Sequence, residues 1–68
     1  MRLLKVSRRE GFLILDTDQG IRKRSLEHPD MPAMEALCQR LIGEEIILDA
    51  LPGWDSQVWF WSVREPDR

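Results

Sequence analysis

The chain has 68 residues, 43 % hydrophobic and 32 % charged, with a formal net charge of −2. That length allows one small domain with a limited core, and the balance is that of a folded soluble protein. One cysteine and one histidine exclude a disulfide framework and a tetrahedral structural zinc site, so packing or association must supply the stability.

Residues 2–9, RLLKVSRR, read as a first strand, with Leu4 and Val6 on one face and Leu3 and Lys5 on the other. REG at 9–11 is a tight turn, Gly11 accepting positive φ. FLILDT at 12–17 is a strongly β-prone second strand, apolar on both faces. Asp16 to Gly20 is turn-rich. IRKRSL at 21–26 is the third strand, with Ile21, Lys23 and Ser25 on one face and Arg22, Arg24 and Leu26 on the other.

The period then changes. Met34, Leu37, Cys38, Leu41 and Ile42 fall on one helical stripe, which predicts a helix over about 32–42. Asp30 is placed to cap it, Pro32 suits its first turn and Gly43 stops it. Residues 44–51, EEIILDAL, return to strand character. LPGWDSQ at 51–57 is a turn, with Pro52 fixing φ and Gly53 permitting type II geometry, and the closing strand is 57–64, with Pro66 ending it and 65–68 expected to fray. Its VWFW core puts Val58 and Phe60 on one face and Trp59, Trp61 and Val63 on the other, so neither face is polar.

The predicted class is α+β, a single domain in the order β-β-β-α-β-β. Five short antiparallel strands bury their apolar faces economically by curling into a small five-stranded partial barrel plugged by the helix. The expected core is Leu4, Val6, Leu13, Leu15, Ile21, Met34, Leu37, Cys38, Leu41, Ile46, Leu48, Phe60 and Val63. This element order resembles the oligonucleotide/oligosaccharide-binding (OB) fold over nearly the whole chain, in topology rather than in any residue signature.

The resemblance implies a binding face on strands 2 and 3, flanked by the 1–2 and 4–5 turns. Arg8, Arg9, Arg22, Lys23, Arg24 and Trp54 occupy those places. Guanidinium groups neutralise phosphates, and an aromatic ring is a sequence-tolerant platform for a base. The predicted role is therefore a non-catalytic module contacting single-stranded DNA or RNA, with no cofactor. Charge distribution agrees in part. Residues 1–24 carry seven Lys/Arg against three acids, a net +4, and residues 25–68 carry three Arg against nine acids, a net −6. The competing reading makes the basic run a solvated edge strand that resists aggregation, and the two halves complementary to each other.

The alternative role is a protein adaptor or homodimer that docks through Trp59 and Trp61, since tryptophan concentrates at interface centres. Catalysis is disfavoured. Cys38, His28 and Asp30 suggest a nucleophile set only superficially, because Cys38 lies on the apolar helix stripe and His28 precedes a proline. Glu44, Glu45 and Asp49 could gather a cation, but adjacent residues of a strand point to opposite faces. No apolar run approaches the ~20 residues of a membrane span, and the single thiol predicts a reducing cytoplasm.

Overall fold

The computed structural model describes residues 1–66. Among them the chain forms β1 (Leu3–Arg9), β2 (Phe12–Thr17), β3 (Gly20–Ser25), α1 (Met31–Arg40), β4 (Ile47–Asp49) and β5 (Ser62–Arg64). The class is α+β, as the sequence predicts. The sheets differ from the prediction. One is three-stranded, in the order β1-β2-β3; the other pairs β4 with β5, and both are antiparallel. In place of a closed version of the predicted five-stranded partial barrel, the strands form a three-stranded and a two-stranded sheet. The predicted fraying at 67–68 lies outside the described residues; Glu65 and Pro66 follow β5 as exposed coil.

The β1–β2 hairpin closes through Glu10 and Gly11, both at positive φ (54° and 84°), with Arg9 opposite Phe12. Two left-handed residues match the right-handed twist of the flanking strands. The β2–β3 turn is held by Thr17, whose hydroxyl donates to the Gly20 carbonyl at 2.7 Å and accepts from the Gln19 N–H at 3.1 Å.

Two seams of isolated bridges join the sheets. At the first, Arg2 pairs with Glu45, and backbone bonds run from Leu3 N–H to Glu44 O, Gly43 N–H to Leu3 O and Ile46 N–H to Met1 O. At the second, Lys23 makes a parallel bridge with Trp59. Its N–H donates to Val58 O at 2.9 Å and its carbonyl accepts from Phe60 N–H at 3.1 Å. The chain therefore runs beside β3 through 58–60, bends at Trp61, whose N–H donates to Asp49 O of β4 at 2.7 Å, and pairs with β4 over 62–64. This bend splits the predicted strand 57–64 in two. It also breaks the alternation: Phe60 and Val63 are both buried although three residues apart.

The core is Leu3, Leu13, Leu15, Met31, Cys38, Leu41, Ile46, Phe60 and Val63. Val6, Leu26, Met34, Leu37 and Leu48 pack against it half-buried. Two expected members lie outside. The β1–β2 register shifts between Leu3 and Lys5, a bulge that leaves Leu4 as the extra residue. Leu3 and Val6 then turn inward while Leu4 is 52 % exposed. On β3 the inward face is the opposite of the predicted one. Leu13 stands opposite Arg24 and Leu15 opposite Arg22, so both arginines share the core face and Ile21 is 57 % exposed.

Helix α1 packs against β1 and β5, burying Met31 and Cys38, with Pro at its first turn. Asp30 stands at its N-terminus without a side-chain cap bond, because its carboxylate is taken by Arg24. The helix ends two residues before the predicted limit, where Leu41 N–H donates to Cys38 O and tightens the last turn. No helix among the described residues is long and apolar enough to cross a membrane.

Candidate functional site

The register sorts the basic residues between two faces. Arg9, Phe12 and Ser25 align across the three strands, as do Ser7, Ile14 and Lys23, then Lys5, Asp16 and Ile21. These rows form the outer face of the sheet, since cross-strand partners point the same way. Trp59, bridged to Lys23, extends that face. Its ring lies 5.6 Å from Phe12 at 56°. The Lys23 ammonium sits 5.6 Å from the Phe12 ring centre and 5.4 Å from that of Trp59, within cation–π range.

Arg24 is turned the other way and is 1 % exposed. Its Nη1 and Nη2 donate to the two Asp30 carboxylate oxygens at 3.1 and 2.9 Å, and Nη1 also meets the Met31 sulfur. Its guanidinium carbon lies 4.5 Å from the Trp61 ring centre. Trp61 in turn meets His28 edge-on at 4.8 Å and Trp54 edge-on at 6.0 Å. The Arg24 hydrogen bonds, with its nearby charge, hold the Asp30 carboxyl below the usual carboxylate range. Arg22 is also buried, its Nη1 donating to the carbonyls of Gln19 and Ile21 at 3.2 Å each. The Nε of each arginine is buried with no partner among the described residues.

Between these two clusters lies an open pocket of about 470 Å³. Phe12 and Trp59 line it from the outer face, and His28 and Trp54 from the other cluster. Arg24, Ser25, Gly53 and Asp55 complete its wall. Its volume falls within the ~300–1,000 Å³ of small-ligand sites, and its mostly apolar lining with a few polar groups is typical of them. Asp55 is set by its own turn: Oδ1 accepts the Gln57 N–H at 2.9 Å, and its carbonyl accepts from Val58 and Trp59 N–H. The Ser25 hydroxyl accepts the Glu27 N–H at 3.2 Å.

No protein-family model, curated protein or solved structure matches this chain. The site therefore rests on its own geometry.

That geometry brings together only part of the predicted set. Trp54 and Trp59 line the pocket, and Lys23 flanks it through the Phe12 and Trp59 rings. Arg9 is exposed at the end of β1 beside Phe12 in register. Arg8 is engaged elsewhere, in a two-point ion pair with Glu35 on α1. The hydrogen bonds of that pair raise the Arg8 value and lower the Glu35 carboxyl. Arg22 and Arg24 belong to the interior, which corrects their expected place on an outward basic strand. Trp61 packs on Arg24 rather than standing out as an interface residue. His28, Ser25 and Asp55 join the site without having been expected there. The adjacency of Trp54 and Asp55 in a predicted turn is the signal the sequence offers for the last.

Cys38 is buried in the core, and burial pushes its thiol up to about 11. His28 meets Trp61 edge-on and Asp30 is bound to Arg24. Among the described residues no group of three or more His, Cys, Asp or Glu gathers to hold a metal ion.

Proposed function

We propose that this chain is a small, non-catalytic OB-like module that contacts single-stranded nucleic acid. The supporting observation is the single pocket wall shared by Phe12, His28, Trp54 and Trp59, placed beside Lys23 and the outer faces of β2 and β3. Bases stack on aromatic rings whatever their sequence, while basic side chains follow the backbone. The order of backbone connections supports the OB-like reading: β1 to β2, β2 to β3, β3 to residues 58–60, β5 to β4, and residues 43–46 back to residues 1–3. In such a fold the 4–5 turn, here carrying Trp54, flanks the ligand face.

The basic residues assigned to the strand are Lys5, Arg9 and Lys23, with Arg22 and Arg24 withdrawn to the interior. Three phosphate contacts predict modest affinity and a salt slope of about −2 in log K against log salt, from roughly −0.7 per contact. Titrating intrinsic tryptophan fluorescence with oligo-dT and oligo-U at several salt concentrations tests this. Absence of any binding at low ionic strength refutes it. The other occupant of this face, a protein partner or a second copy docking on Trp59 and Trp61, has less support. Both indoles are half-covered by the chain's own Phe12, Lys23, Arg24 and His28. A concentration-dependent mass in light scattering would favour it.

A further inference from the structure

We propose that the pocket between Trp54 and Trp59 is a guanine-reading subsite, with the Asp55 carboxylate as the reader. This deepens, and rests on, the single-strand reading above. The pocket is walled by flat rings and carries one carboxylate in its lining. An ionised carboxylate only accepts hydrogen bonds. Oδ1 of Asp55 is committed once, to the Gln57 N–H, which fixes the side chain and leaves Oδ2 and a further lone pair. Of the bases, guanine alone presents two adjacent donors, N1–H and the N2 amino group, on its pairing edge. Adenine and cytosine set a donor beside an acceptor, and thymine or uracil has one N–H between two carbonyls. A carboxylate meets guanine at two points and meets an acceptor atom of the others with repulsion. The Ser25 hydroxyl, which accepts from Glu27, keeps its own proton to offer the guanine O6. Extruded single-strand bases are commonly read in this way, stacked on rings and bonded along one edge.

Charge argues for a base over the other guest of aromatic pockets, an alkylated ammonium. Arg24 lines the pocket itself, and the Lys23 ammonium already lies against the Phe12 and Trp59 rings. Arg24 is itself neutralised by Asp30, so Lys23 already fills the cation position on those two rings, and a neutral ring joined to phosphates suits them better than a second cation.

The experiment compares oligo-dT of about nine nucleotides, within the span of one OB-type site, with the same strand carrying one central guanine, adenine or inosine. The central guanine is expected to tighten binding about tenfold over thymine, the scale of a two-point base contact. Adenine is expected to gain nothing, and inosine, which lacks the N2 amino group, to lose most of the gain. Asp55→Asn keeps the acceptor for Gln57 N–H and is expected to abolish the guanine preference, read as the ratio of guanine-strand to oligo-dT affinity within the variant. If oligo-dT binds but guanine adds nothing, or inosine equals guanine, or the preference survives in Asp55→Asn, the guanine assignment is overturned and the single-strand reading stands. If none of the strands binds at low salt, the single-strand reading falls and the subsite falls with it. The inosine comparison uses the unaltered protein, so its outcome does not depend on the variant folding.

Discussion

The Arg24–Asp30 pair is asymmetric in a way that stability measurements expose. Arg24 is 1 % exposed and Asp30 55 %. Removing the arginine leaves a carboxylate in water, at little cost; removing the carboxylate leaves a guanidinium in the core without its two acceptors. Arg24→Met keeps most of the apolar stem on the core face opposite Leu13, removes a desolvated charge and eliminates the buried Nε that lacks a partner. Replacing a buried ion by an apolar group of similar volume is often neutral or stabilising, so Arg24→Met should fall within about 1 kcal/mol of the parent. Arg24→Ala opens a cavity and should cost about 2–4 kcal/mol, a drop in Tm of about 10–30 °C for a domain this small. Asp30→Ala removes no capping bond, because Asp30 makes none with its side chain, yet it should lower Tm by more than Arg24→Met does. In the Arg24→Met background most of that loss should vanish, which is the decisive arm of the double-mutant cycle. Thermal unfolding by circular dichroism, with denaturant titration for the weakest variant, reads all four. If Arg24→Met is as damaging as Arg24→Ala, or Asp30→Ala costs the same in both backgrounds, the account of the buried arginine is wrong.

Acid should weaken the fold through the same pair and through Arg8–Glu35. Both carboxyls are held below their ordinary values by arginine hydrogen bonds. Their contribution is complete above the unfolded carboxylate range near pH 4 and is lost as pH falls through the lowered folded values. Stability against pH should accordingly be flat between about pH 5 and 8, and a Glu35→Gln variant should show a shallower acid decline; an unchanged acid limb counts against the ion pair. Cys38, buried and shifted to about 11, should resist a thiol-specific reagent at pH 8 in the native state and react on unfolding; prompt native labelling would contradict its burial. Gly20 has φ +110° and a Cβ there would lie 3.2 Å from Arg22 Nη1, so Gly20→Ala should destabilise by about 1–3 kcal/mol, and an unchanged Tm would show that this turn relaxes freely.

What the sequence made legible depended on whether local pattern governed the outcome. The hairpin through Glu10 and Gly11 was readable because its turn chemistry is local. The helix was readable because the Met34–Leu41 stripe keeps its period over two turns. The facing of β1 and β3 was not. One bulged residue at Leu4 turns Leu3 inward in its place while Val6 keeps its expected facing, and alternation cannot place a bulge in advance. On β3, hydropathy assigned Ile21 to the core and the arginines to water. The structure reverses this because Asp30, the Met31 sulfur and the Trp61 ring together satisfy Arg24, and none of them is within five residues of it in the chain. A basic triplet therefore reads as phosphate-binding in sequence while two of its members serve the interior.

The same displacement defines the site. With Arg24 in the core, Trp61 is drawn onto the guanidinium, leaving Trp59 on the outer face with Lys23. The two indoles of VWFW, which a straight strand would place side by side, are thus assigned to different environments by the bend at Trp61. One supports a buried cation and the other walls a pocket. The pocket exists because they part: Trp54 rests on the first and Phe12 on the second, and the space between the two aromatic pairs is where Asp55 and Ser25 are presented. Losing the Trp61 ring should consequently disturb the pocket through Trp54 as well as expose Arg24, whereas losing the Trp59 ring should remove a wall and spare the core. Binding and stability should separate between Trp59→Ala and Trp61→Ala, the former losing oligonucleotide affinity with the smaller change in Tm. Equal loss of stability in both would mean that the two indoles share one core and that the pocket is incidental to their packing.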